Sequence, residues 1–458
     1  MDSKAFFKKI RGQRVAFCGI GRSNLPLMKI FVEKGALVTA CDKRTREQIG
    51  DTASQLEEMG VSLRLGESYL QDLNVDIIFR TPGMKFHMPE LEEARARGIA
   101  VTSEMEVFFD LCPCRIYAVT GSDGKTTTTT ILAEMLRAAG KKVHLGGNIG
   151  KPLLPEIENI GPEDAAVVEL SSFQLISMRR SPDVAVVTNL SPNHLDIHKD
   201  MAEYISAKKN IILHQNAFGR AVLNLDNEIT AGFDSDVRGC TRMFSRKQKA
   251  SGAWVREDGA ILVGDSPEVL LNVSEIKIPG LHNVENYLAA ISALYGEIPL
   301  DAMRKVAREF NGVPHRAEFV REFDGVKYYN DSIGTSPSRT IRGTLSLYPQ
   351  KIILIAGGYD KKIPFDALGP VIVEKVKVAI LMGATAQKIE DSIKAAPGYQ
   401  AGCPEILHAS SMEDAVSLAH AHAVCGDIVS LSPACASFDL YPDFEARGNH
   451  FKQLVNAL

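Results

Sequence analysis

No two cysteines in this 458-residue chain have the CxxC spacing. The eight present, Cys18, Cys41, Cys112, Cys114, Cys240, Cys403, Cys425 and Cys435, are scattered over its length. That pattern gives poor support to a zinc site or a disulfide framework. Several lie in apolar runs such as AFCGIG, where a buried thiol behaves as a small hydrophobe. There is no stretch of about 18 apolar residues, so no segment is expected to span a membrane. The opening MDSKAFFKKI has no long apolar core behind its charges and does not read as a secretory signal. A large charge of one sign is also missing. The net charge of −4 provides no field that would gather nucleic acid or an anionic membrane. Internal repeats and low-complexity stretches are absent. These absences point to an aqueous, reducing compartment, the cytoplasm.

What is present is ordinary for a globular protein: 45% hydrophobic and 24% charged residues. At roughly 150 residues per domain the length suggests about three domains. Short β-branched runs recur, among them Val15–Gly21, Leu37–Asp42, Ile116–Gly121, Ala165–Leu170, Val184–Asn189, Ile352–Gly358, Val378–Gly383 and Ile428–Pro433. Their interiors lack charge until the last residue or two, as strands covered on both faces require. Helical patterns such as Thr127–Ala139, Val284–Leu294 and Met412–Ala423 fall between them. The alternation predicts an α/β protein with mostly parallel sheets, whose ligands sit at the carboxyl ends of strands. Boundaries near Ser103 and Gly312 give regions 1–103, 104–312 and 313–458. The polar, weakly patterned segment from Asp226 to Ile276 suggests no role.

IYAVTGSDGKTTTTTILAEMLRAAG runs from a strand through Gly121 and Gly124 to Lys125, Thr126 and Thr127, which open an amphipathic helix. Glycines let backbone N–H groups close on phosphate oxygens, and the helix amino end favours negative charge. Lys125 would reach the β/γ-phosphates and Thr126 would ligate Mg²⁺. The usual GxxxxGK[ST] spacing is not met, since Val119 stands six before Lys125, so this is a variant loop. Upstream, Gly19-x-Gly21 and Asp42 resemble part of a dinucleotide fingerprint, but Asn24 replaces the third glycine. That loop reads as a site for a diphosphate or ribose, with Asp42 accepting from a hydroxyl, or as a structural turn. Thr81-Pro82-Gly83 would face the same crevice. Glu169 ends a hydrophobic strand, where an unpaired carboxylate is costly and Mg²⁺ a natural partner. Asn189, His194, Asp196 and His198 follow another strand, and Lys208 lies in a helical segment where a lysine is normally a solvated charge. His315, Arg316, Asp331, Ser332, Thr335, Lys361, Asn283 and Asn286 add cations, amides and hydroxyls suited to phosphoryl transfer.

TGSDGKTT, ELSSFQL, NLSPNHLDIH, GLHNVENYLAA, HRAEF, NDSIGTS and LSPACASFDLYPDFEARGNHF appear in this order along nearly the whole chain. The series resembles the Mur ligases of peptidoglycan synthesis. ELSSFQL and the last stretch are most similar to the branch that adds D-glutamate to UDP-N-acetylmuramoyl-L-alanine. The resemblance implies three domains: an amino-terminal Rossmann-like domain for the UDP substrate, a central P-loop-type ATPase domain and a Rossmann-like carboxyl-terminal domain for the amino acid. It implies an ATP-dependent acid–amino-acid ligase working through an acyl phosphate, probing no nucleic acid or membrane, as a monomer. By motif, Lys125 and Thr126 hold the ATP phosphates and Mg²⁺, and Glu169 matches a ligand of a first Mg²⁺. His194 and Lys208 match ligands of a second, the lysine being carbamylated by CO₂. That reverses the surface reading of Lys208. Asn283, Asn286, Arg316 and Asp331 match nucleotide contacts. Thr335, Lys361, Ser437, Phe438 and Phe444 match positions that hold D-glutamate. Ser23, Asp42, Gly83 and Asn148 match the UDP-substrate side. Two departures stand out: Asp123 where the family often has asparagine, and DSIGTS without the lysine many members carry. An ATP-hydrolysing switch would have little use for the Glu169, His194 and Lys208 cluster, and Asn24 argues against a dehydrogenase.

Overall fold

Runs without internal charge become strands buried along most or all of their length, because helices cover both faces of a parallel sheet. The computed structural model describes residues 2–192 and 198–458. The chain divides into two compact units, Met1–Glu275 with Val284–Arg308, and Ile276–Asn283 with Glu309–Leu458.

The first unit holds two parallel sheets. In the first, β1 (Arg14–Cys18), β2 (Leu37–Asp42), β3 (Ser62–Leu65), β4 (Ile77–Arg80) and β5 (Ala100–Thr102) take the order β3-β2-β1-β4-β5. The second contains β6 (Arg115–Thr120), β7 (Val143–Gly147), β8 (Ala165–Glu169), β9 (Val184–Val187), β10 (Arg220–Asn224) and β11 (Cys240–Phe244) in the order β11-β10-β9-β6-β8-β7. β8 and β9 are buried at every position. One hydrophobic core runs from Phe17, Phe31 and Phe79 of the first sheet layer to Ala118, Val168 and Ile211 of the second. β6 lies between β8 and β9, so the loop leaving its carboxyl end opens into a crevice.

The segment Asp226–Ile276 is structured despite its weak pattern. It contains β11 and a small antiparallel sheet of β12 (Ala253–Val255), β13 (Ala260–Val263) and β14 (Leu271–Asn272). Strands of two to four residues are too short to show a period in sequence.

In the second unit β15 (Glu318–Phe323), β16 (Val326–Asn330), β17 (Ile352–Gly357), β18 (Val376–Met382), β19 (Glu405–His408) and β20 (Ile428–Leu431) take the order β15-β16-β20-β17-β18-β19. Only the β15–β16 hairpin at the edge is antiparallel. Separate apolar clusters cover the two faces of this sheet, one around Leu354 and Leu381 and the other around Ile355 and Ile380. Among the described residues no helix is long and apolar enough to cross a membrane.

Candidate active site

The turn after β6 is shaped by two glycines at which a side chain would strain the backbone and displace a neighbour. Gly121 has φ +150° and a Cβ there would stand 1.9 Å from Thr188 Oγ1; Gly124 has φ +77° and a Cβ would stand 2.4 Å from Asn286 Oδ1. The helix that follows, Lys125–Ala138, starts without any side-chain cap, which leaves its amino end to a ligand. The strand-end loop after β9 braces the turn. Ser122 N donates to Asn189 O at 2.8 Å, Asp123 N to Asn189 Oδ1 at 3.1 Å, and Ser122 Oγ to Ser191 O at 3.0 Å. The Asp123 side chain, the acidic departure from the family pattern, is exposed.

Lys125 Nζ donates to Gly121 O at 3.0 Å and Ser122 O at 2.9 Å, inside the turn that it opens. The Glu169 carboxylate is 1% exposed. Its Oε2 accepts from Thr126 Oγ1 at 2.7 Å and its Oε1 from Asn148 Nδ2, also at 2.7 Å. Lys208 is 2% exposed, and its Nζ donates to Thr120 Oγ1 at 3.1 Å and Gly121 O at 2.9 Å. Burial, and secondly the positive charge of Lys125, hold the Lys208 ammonium well below the ordinary lysine range, against an opposing pull from Glu169. The reading of Lys208 as a solvated surface charge is therefore corrected by the structure. Thr127 is buried in the first helical turn, and Thr128 Oγ1 donates to Asn286 Oδ1 at 3.1 Å. His194 lies outside the described residues. His198 packs its ring on Phe173, with ring centroids 5.1 Å apart, and bonds Glu203 and Ser172, so it has its own structural partners.

A cleft of about 260 Å³ is lined by Ser23, Gly83 and Asn148, three of the four residues expected on the UDP-substrate side. Asp42 is otherwise engaged. Its carboxylate accepts from Ile20 N at 2.8 Å and from Arg44, with Nη2 at 2.9 Å. Burial alone would raise its pKa, but these hydrogen bonds outweigh it and lower it. Asn24, in the place of the third fingerprint glycine, is 1% exposed and donates to Cys18 O and Gly19 O, both at 3.1 Å.

The second unit collects Asn283, Arg316, Asp331, Thr335, Lys361, Ser437, Phe438 and Phe444. Asn283 Nδ2 donates to Pro279 O at 2.6 Å. Asp331 is fully enclosed by Ser432 Oγ at 2.8 Å, Thr344 Oγ1 at 2.9 Å and Ala317 N at 3.2 Å, and burial raises its pKa. Lys361 Nζ lies 3.4 Å from Thr335 O. Ser437 is buried, while Phe438 is 63% exposed with its ring edge-on to Tyr359. Phe444 starts the helix Phe444–Ala457 and packs edge-on to His315.

The motif reading missed Arg447. Its guanidinium, 3% exposed, donates to Ser332 Oγ and O and to the carbonyls of Cys435 and Ala436, at 2.8–3.1 Å. It ties the Asp331–Thr335 loop to the loop carrying Ser437 and Phe438. Burial pushes its pKa down to about 10. The signal was present in the RG of the closing motif, where an arginine on an amphipathic helix looks like surface charge.

A strand-to-helix glycine turn, a Lys-Thr pair and a buried carboxylate are the arrangement that phosphate binding requires in nucleotide-dependent α/β enzymes. Residues 119–294 match the Mur ligase middle domain and residues 315–435 the Mur ligase glutamate ligase domain. The chain is 52% identical over 459 residues to a protein of Acetivibrio thermocellus named UDP-N-acetylmuramoylalanine--D-glutamate ligase, covering 99% of this chain and 98% of the relative. A Clostridium kluyveri protein of the same name is 49% identical over 457 residues, covering 99% and 98%. A solved structure of UDP-N-acetylmuramate-alanine ligase from Thermotoga maritima superposes with TM-score 0.59 at 17% identity, over 97% of this chain and 99% of that one, and so shares the fold. The chain belongs to the Mur ligase family.

Proposed function

We propose that the protein joins D-glutamate to UDP-N-acetylmuramoyl-L-alanine, converting ATP to ADP and phosphate, in the making of peptidoglycan precursors. The observation that carries this reading is the Glu169 carboxylate, with one oxygen on Thr126 of the phosphate turn and the other on Asn148 of the cleft. One buried anion thus links the loop suited to the phosphoryl donor with the cleft suited to its acceptor. The names of the relatives supply the identity of the substrates. In this reading residues 1–103 bind the UDP substrate, 104–312 bind ATP and 313–458 bind D-glutamate, in a cytoplasmic monomer.

The uncapped helix start at Lys125 and the glycine turn fit ATP phosphates, with Thr127 and Asn286 beside the turn. Asn283, Arg316 and Asp331 of the second unit are nucleotide contacts by motif match alone. The hydroxyl of Thr126 and the carboxylate of Glu169 are hard oxygen donors that fit Mg²⁺, and by motif match His194 and Lys208 would hold a second ion. Mg²⁺ there supplies charge neutralisation on the phosphates. Lys208 fits a carbamate because burial, and secondly the charge of Lys125, lower its pKa and so favour the neutral, nucleophilic amine. The lone pair of the neutral amine adds to the carbon of CO₂ and an N–H proton leaves to solvent, so the neutral amine becomes an anionic donor.

The alanyl carboxylate of the substrate attacks the γ-phosphorus, the bond to ADP breaks, and an acyl phosphate forms. Lys125 balances charge on the transferring group. The amine of D-glutamate, held by Thr335, Lys361, Ser437, Phe438 and Phe444, then attacks the acyl carbon and phosphate leaves. The test is phosphate release from ATP with UDP-N-acetylmuramoyl-L-alanine and D-Glu, L-Glu, L-Ala or meso-diaminopimelate offered separately. Release should require both the UDP substrate and D-Glu. Release with another amino acid would move the enzyme to another step, and release without any acceptor would overturn ligation.

A further inference from the structure

Glu104 has no part in the chemistry above, yet it lines the cleft beside Ser23, Gly83 and Asn148. It sits in the first turn of the helix Glu104–Leu111 and is 6% exposed. Its Oε1 accepts from both Leu153 N and Leu154 N at 2.9 Å, which anchors the far end of the loop that begins at Asn148. Oε2 makes no hydrogen bond among the described residues. The carboxyl is thus largely buried with one oxygen fixed by two amides, while the other keeps its hydrogen-bonding capacity on a residue that lines the cleft.

We propose that Glu104 is a further substrate-binding residue: Oε1 holds the Leu153–Leu154 turn, and Oε2, as a hydroxyl, donates a hydrogen bond to an oxygen of the bound UDP-sugar acid. This rests on the reading of the cleft as the UDP-substrate site. An ionised Glu104 would instead turn an unpaired negative charge toward a substrate that carries a diphosphate and a carboxylate. Burial raises the Glu104 pKa to about 7, against the pull of the two amides, so the neutral form is available near neutrality. Other charged groups nearby leave that assignment intact. Among the described residues, Arg22 is the one other ionisable side chain lining the cleft. On the same helix Glu106 accepts from Ser103 and Ser177. On the 3-10 turn Leu154–Asn159, Glu158 pairs with Lys34 and Glu156 is half-buried. Lys151, in the loop, is exposed.

The experiment measures KM for UDP-N-acetylmuramoyl-L-alanine from about pH 6 to about pH 8.5 in the wild type, Glu104→Gln and Glu104→Ala, a range that brackets the titration. Glutamine keeps the Oε1 acceptor and replaces the hydroxyl with an N–H donor that does not titrate. The wild-type KM should rise roughly three- to tenfold through the range, the worth of one hydrogen bond. Glu104→Gln should hold a low, flat KM, Glu104→Ala a raised one throughout, and KM for ATP should be unchanged in both. A wild-type KM that stays flat, or a Glu104→Gln profile that still follows the wild type, overturns the proposal while leaving the function intact. If Glu104→Ala does not fold, the comparison of wild type and Glu104→Gln decides alone. Absence of turnover by the wild type with this substrate overturns the function, and the proposal with it.

Discussion

The turn after β1 and the turn after β6 both leave a buried strand through a pair of glycines and enter a helix, but their polar groups are engaged differently. After β1 the groups answer one another: Asn24 fills the turn and donates to its carbonyls, Ile20 N donates to Asp42, and Arg44 closes on the same carboxylate. After β6 the bracing comes from outside, through Asn189 and Ser191, beside Lys125, Thr126 and Glu169; neither helix start carries a side-chain cap. Glycine spacing predicts the shape of a turn. Whether the turn is a site depends on which donors the rest of the chain has already claimed.

That contrast is broken or sharpened by four substitutions. Lys125→Ala should lower kcat by about 10³-fold or more, since a transferring phosphoryl loses its charge partner, with little change in Tm. Activity near that of the wild type would remove the phosphate turn from the chemistry. Lys208→Ala should lower turnover by roughly 10²-fold or more, with partial rescue by added short carboxylic acids, which stand in for the carbamate. Full activity without an additive would return Lys208 to a structural role. Arg447→Ala should raise KM for D-glutamate roughly tenfold or more, because it loosens loops that carry Thr335 and Ser437. An unchanged KM for D-glutamate would separate those loops from the amino acid. Asn24→Ala should leave kcat within about twofold and cost about 1–2 kcal/mol by chemical denaturation, the worth of hydrogen bonds lost inside a self-contained turn. A large loss of kcat with no loss of stability would give the first turn a chemical role after all.

Much of this was legible in the sequence, for definite reasons. Strands such as Ala165–Glu169 and Ile352–Gly357 are buried on both faces, so their apolar runs stand out. The phosphate turn carries its glycines and its Lys-Thr pair in one continuous segment. Glu104 was hidden because an acid in a first helical turn is what the helix dipole favours anyway. Lys208 looked like any lysine on a helix until its matching motif was considered, and the structure then gave the reason: its Nζ is drawn inward to Gly121 O. The short strands between Asp226 and Ile276 left no period to read, and the partners of Arg447 are backbone carbonyls, which no sequence pattern announces.

Arg80 ends β4 at 1% exposure and reaches across the first unit, donating to Phe173 O at 2.9 Å and Ser177 Oγ at 2.8 Å. With burial lowering its pKa, it is a cation that the interior holds through those acceptors, through Met84 O at 3.3 Å and through the charge of Glu106. For anyone building chimaeras this sets a rule. A transplanted first sheet needs a host that presents a carbonyl and a hydroxyl at the same place, and the carbonyl, being main chain, is the half of the joint that survives a change of sequence.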